Sequence, residues 1–148
     1  MVLNTASEVI SFTRKLEEDS ARFYEDLAQR AIKDGETLLS FAKENRKNII
    51  QIERAYYGVI TDALEGCFAF NINLDEYAFQ TELSEKASYA EALAGAIAME
   101  EKIKKFYSDA AEQSKSLMAD VPRAFAMIAK KRDDRISTLK SLLGRGAS

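Results

Sequence analysis

Two carboxylates recur in one setting: Leu16-Glu17-Glu18 followed by Phe23-Tyr24 returns as Met99-Glu100-Glu101 followed by Phe106-Tyr107. A carboxylate on a helix is a hard oxygen donor, and a repeated one invites a cation shared between the two copies. The imidazoles that commonly complete such a site are missing, because the chain contains no histidine. In each copy a tyrosine, Tyr24 or Tyr107, follows the glutamate by two helical turns and therefore shares its face. Glu100 falls within the apolar stripe of its helix and is expected to point inward; Glu17 lies towards the edge of its stripe, where a solvated position stays open. The two tyrosines read as core aromatics whose hydroxyls need a partner.

These side chains require long helices to position them. Thr5-x-x-Glu8 has the form of a capping box and predicts a first helix over about 7–31, ended by Asp34-Gly35, with Val9, Leu16, Phe23 and Leu27 on its apolar face. A second helix, about 36–65, carries Leu38, Phe41, Ile49, Ile52, Tyr56, Val59 and Ala63 at helical spacing and stops near Gly66. Ser88-x-x-Glu91 announces a third over about 88–113, and Asp120 with Pro122 in the first turn opens a fourth over about 121–143. The segment 66–87 is too long for a tight turn and long enough to travel the length of a helix. Phe68, Phe70, Ile72 and Leu74 alternate with small or polar residues, so its start is expected to run extended, with a short helix from Asp75. The fold class is all-α: two helix hairpins joined by one long crossover.

At 148 residues the chain has the size of one domain, and a single proline with six glycines leaves few breakers for strands. The net charge of −3 argues against nucleic acid as the partner, and the basic clusters Lys102, Lys104, Lys105 and Lys130, Lys131, Arg132 read most simply as solvated faces. The one cysteine, Cys67, can form no internal disulfide and has no neighbour to activate it. No leader-like segment opens the chain and no apolar run is long enough to span a bilayer, so a cytoplasmic protein without membrane contact is expected.

Aligning the hairpins matches Glu17, Phe23, Tyr24, Asp26 and Ala28 with Glu100, Phe106, Tyr107, Asp109 and Ala111, and Ile49 and Ile52 with Ile136 and Leu139. This duplication, with the crossover and the Phe-Tyr pairs, resembles the ferritin-like superfamily and within it the rubrerythrin-like proteins, from about Ser7 to Leu143. The resemblance implies a four-helix bundle with a di-iron site, to which the first and third helices give a Glu and the second and fourth a Glu-x-x-His. The matching positions here are Asn45 and Asn48 in the second helix and Arg132 and Arg135 in the fourth. Two carboxylates out of six ligands do not hold two iron ions, so the site reads as degenerate and no cofactor is expected. Glu17 and Glu100 bring two negative charges, Arg132 and Arg135 two positive ones; bidentate arginine–carboxylate pairs are expected, with Asn45, Asn48, Tyr24 and Tyr107 around them.

A non-catalytic bundle with a structural or partner-binding role follows as the leading reading. The alternative is a di-metal peroxidase or ferroxidase, with iron held by Glu17, Glu100 and some of Glu44, Glu53, Asp133 and Asp134. A second alternative is an unrelated helical interaction module, its charged faces docking a partner helix. A homodimer is what the resemblance implies for assembly, alongside an unnamed protein partner.

Overall fold

The computed structural model describes residues 1–31, 33–59, 68–77, 83–115 and 120–146. Thr5 opens helix α1 (Ala6–Arg30) by the reciprocal bonding its sequence predicts. Its hydroxyl accepts from the Glu8 amide at 3.1 Å, while the Glu8 carboxylate accepts from the Asn4 and Thr5 amides at 3.0 Å each. The Thr5 and Asn4 amides, helped by the Thr5 hydroxyl, hold the Glu8 carboxyl below its ordinary pKa. Ser88 repeats the half of this device that matters for α3 (Tyr89–Ser114), accepting from the Glu91 amide at 3.1 Å. Helix α2 (Gly35–Val59) follows a short link, and α4 (Asp120–Gly146) carries Pro122 where its missing N–H is harmless. The continuation of the second helix towards 65, its stop at Gly66, and Cys67 lie outside the described residues.

Cross-helix contacts give the direction of each helix. Arg14 of α1 pairs with Glu53 of α2, and Glu25 with Arg46 at 3.1 Å, so the two run antiparallel. Glu17 meets Tyr107 and Tyr24 meets Glu100, which makes α1 and α3 antiparallel as well. Asn45 meets Arg135 and Gln51 meets Lys131, setting α2 against α4. The senses are therefore up, down, down, up, and the connection from α2 to α3 must return along the bundle.

The first described part of that connection is strand β2 (Phe68–Asn73), extended as its alternating pattern predicts. It pairs antiparallel with a strand the sequence reading did not foresee, β1 (Val2–Thr5), in the register Leu3 to Ile72 with an irregularity before Thr5. Leu3, Phe70 and Ile72 are buried, so the ribbon closes one end of the bundle core. A 3-10 turn (Leu74–Tyr77) follows where a short helix was expected, its Tyr77 hydroxyl donating to Asp109 of α3 at 2.5 Å. At the opposite end Arg30 donates to the Ser84 carbonyl at 2.6 Å and the Tyr89 hydroxyl to Asp34 at 2.8 Å, anchoring the crossover where α3 starts.

Apolar layers built by Val9, Leu27, Leu38, Ile52, Leu93, Ile103, Phe106, Phe125, Ile128 and Leu139 fill the interior. Within them lie buried polar side chains, Thr13, Glu17, Ser20, Asn45, Asn48, Glu100, Arg132 and Arg135. Among the described residues no helix is long and apolar enough to cross a membrane.

Candidate functional site

Each helix presents its innermost seam at alternating steps of three and four: Thr13, Glu17, Ser20 and Tyr24 on α1; Asn45, Asn48 and Ile52 on α2; Glu100, Ile103 and Tyr107 on α3; Ile128, Arg132, Arg135 and Leu139 on α4. All of these are buried. Glu17 is fully enclosed, not solvated at a stripe edge, because polar Thr13 and Ser20 share its inward seam and disguise it as a surface in the sequence.

The centre of the cluster is the Arg132 guanidinium. One nitrogen, Nη2, donates to Glu17 Oε2 at 2.6 Å; the other, Nη1, donates to both Glu100 oxygens at 2.8 and 2.7 Å and to Ser20 Oγ at 3.2 Å. A single arginine thus bridges both carboxylates, where the sequence reading expected one bidentate arginine for each. Tyrosine hydroxyls complete them from the opposite helix: Tyr24 donates to Glu100 at 2.5 Å and Tyr107 to Glu17 at 2.7 Å. This crossed pairing is reciprocal, as two copies of one motif on antiparallel helices require. The pattern extends to longer contacts, Asn48 to Glu17 and Arg135 to Glu100, each at 3.4 Å.

Arg135 departs from the expected role and reaches the rim. It donates to Asn45 Oδ1 at 2.8 Å, to Glu44 Oε1 at 2.7 Å and to the Phe41 carbonyl at 3.3 Å. Its guanidinium carbon lies 4.7 Å from the Phe41 ring centre and 5.2 Å from that of Tyr24, within reach of the cation–π attraction. Ser20 and Phe41 are not among the site residues expected from sequence, and Glu44 enters there only as a ligand of the di-metal alternative, not as a partner of Arg135. Glu44 sits about 100° around α2 from Asn45, but the length of the Arg135 side chain spans that offset.

Burial opposes charge on Arg132, yet the Glu100 and Glu17 carboxylates outweigh it and raise its pKa above the ordinary guanidinium value. Burial, then the nearby carboxylate charge, pushes the Tyr24 and Tyr107 hydroxyls well above the usual tyrosine range, so both remain neutral donors. Formal charges cancel within the enclosed set of Glu17, Glu100, Arg132 and Arg135, and Glu44 adds one negative charge where water reaches it. Within the cluster, Asn45 Nδ2, Asn48 Oδ1, Arg132 Nε and Arg135 Nε are enclosed and have no hydrogen-bond partner among the described residues.

The donor set does not suit a pair of iron ions. Cations would face two guanidiniums across the cluster, and the Glu17 and Glu100 oxygens are already directed at Arg132, Tyr24 and Tyr107. Glu53, Asp133 and Asp134 do not converge on the cluster: Glu53 pairs with Arg14, Asp133 with Lys104 at 2.8 Å, and Asp134 is exposed. Among the described residues no group of three or more Cys, Asp or Glu side chains is arranged to hold a metal ion. What the arrangement can do is hold four helices in one register through a polar network that is enclosed except at Glu44. Comparison with known proteins found no matching family model, curated protein or solved structure.

Proposed function

We propose that the chain is a ferritin-like bundle of the rubrerythrin type in which a charge-paired polar core stands where a di-iron site would be. In this reading it works in the cytoplasm as a non-catalytic structural or partner-binding protein. Support comes from the duplicated glutamate and tyrosine, from the up, down, down, up course of the helices, and from the long return between the second and third. The observation that carries the reading is the Arg132 guanidinium between Glu17 and Glu100, 2.6 to 2.8 Å from each carboxylate, where a bridging cation would sit.

Two tightly enclosed carboxylates are tolerable only with such a partner, since unpaired burial costs several kcal/mol per ion. Arg132 supplies the positive charge permanently, whereas a metal supplies it only while bound. The substitution removes redox chemistry from the core and leaves its architectural role. The test is to restore the family's ligand pattern with Asn45→Glu, Asn48→His, Arg132→Glu and Arg135→His together. Iron titration followed by absorbance and elemental analysis should show binding in that variant. A folded variant, by circular dichroism, that takes up no iron would count against the assignment of these positions.

A further inference from the structure

Helices α2 and α4 leave an open groove of about 460 Å³ between them, lined by Gln51, Arg54, Ala55, Arg123, Ala124 and Met127, with Asp120 at one end. Arg14, Arg22, Arg30 and Arg46 all bond to carboxylates or a carbonyl on their own surfaces. Among the described residues Arg54 and Arg123 have no hydrogen bond or ion pair; Arg145, near the end of α4, shares that state but does not line the groove. Among the described residues Asp120 is the one acid lining the groove beside Arg54 and Arg123, on a chain whose overall charge is negative.

Exposed apolar bulk gathers beside these arginines. Ile50 is 51 % exposed and Tyr57 70 % exposed on the outer face of α2, two turns apart, and Met127 on α4 is 49 % exposed. Single exposed apolar residues are ordinary, but Ile50 and Tyr57 stand at i−4 and i+3 from Arg54, next to a groove that Met127 lines, and such a set beside a cationic groove marks an interaction surface. Tyrosine and arginine are also the residues that most often anchor interfaces.

We propose that the groove between α2 and α4 docks an acidic amphipathic helix of a partner protein. Its apolar stripe would rest on Ala55, Ala124 and Met127, with Ile50 and Tyr57 along the α2 side, and its carboxylates would pair with Arg54 and Arg123. A helix suits the concave channel between two ridges. A second copy of this chain presenting the same face would set guanidinium against guanidinium, which the charge pattern disfavours. The proposal rests on the partner-binding reading above and gives that partner a chemistry.

The probe is a capped synthetic helix with leucine at i, i+3, i+4 and i+7 and glutamate elsewhere, compared with the same peptide carrying lysine for glutamate, by fluorescence anisotropy. The glutamate peptide should bind at least about tenfold more tightly, with affinity falling as salt rises. Arg54→Glu with Arg123→Glu should weaken it by about tenfold or more, Arg54→Gln with Arg123→Gln less, and Arg145→Glu, away from the groove, not at all. Both double variants change exposed positions, and unchanged thermal melting would show that the bundle is intact. Equal binding of the two peptides, indifference to the double variants, or association with anionic vesicles but not with the peptide would overturn the proposal. Those results would leave the polar-core reading standing, whereas iron uptake by the native chain would remove that reading without touching the groove.

Discussion

Removing the Arg132 side chain, as in Arg132→Leu, strips Glu17 and Glu100 of their shared counter-charge while leaving both enclosed. Equilibrium unfolding should show a loss of about 3–5 kcal/mol, the penalty typical of a broken buried pair. Tyr24 and Tyr107 carry a separate prediction in pH. Their folded-state pKa values lie well above the ordinary value of 10.0 because burial and the adjacent carboxylates disfavour the phenolate. Below that value both states hold the proton and stability is unaffected; above it only the unfolded chain releases it, so stability falls as pH rises. Denaturant midpoints should therefore stay level up to about pH 10 and drop beyond, less steeply in a Tyr24→Phe, Tyr107→Phe variant. A native protein whose denaturant midpoint was equally insensitive above that pH would contradict the buried, carboxylate-bound hydroxyls. At this scale the sequence was informative where types were unusual: Glu100 inside an apolar stripe, and arginines at Arg132 and Arg135 in phase with Ile128 and Leu139. It was silent on which arginine meets which acid, because a guanidinium on a long flexible stem can reach several partners and only the packing chooses among them. The pairing of Glu44 with Arg135 is hidden in the sequence for that reason.

The helices follow from local signals, and the starts of α1 and α3 are legible in their caps, whereas α4 continues past its expected end to Gly146. Thr5 and Ser88 cap α1 and α3 as their spacing predicts, and Thr5→Ala should destabilise the fold by about 1 kcal/mol in thermal or chemical melts. The β ribbon is a different matter. Phe68 to Asn73 announced itself by alternation, but Val2 to Thr5 is too short for a period to register, and its partner lies far along the chain. Pairing between distant segments is a tertiary property that no local window contains. Leu3, buried under that ribbon and facing Ile72, ties it to the core. Leu3→Ala should cost about 2–5 kcal/mol, comparable to truncation in the centre of the bundle, if the ribbon is an integral lid. A loss of a few tenths would mean that the ribbon contributes little to global stability.

For the molecule as a whole, the duplication in the sequence anticipates the reciprocal contacts between α1 and α3, since two copies of one motif facing each other must each offer the other its tyrosine. The all-helical class and the long return between hairpins were readable from breakers, caps and segment length. Chemistry was less so, because residue types at helical spacing do not say which charged groups meet, and the arrangement is found only in three dimensions. It is an ionic knot centred on Arg132, with the surface groove at Arg54 and Arg123 as an outward-facing feature. The account stands or falls on whether that knot excludes metal. Elemental analysis of the native protein, purified without chelator and again after loading with ferrous iron and desalting, measures this directly. The expected result is far less than one iron per chain in both preparations; iron retained near one or two equivalents per chain would contradict the account.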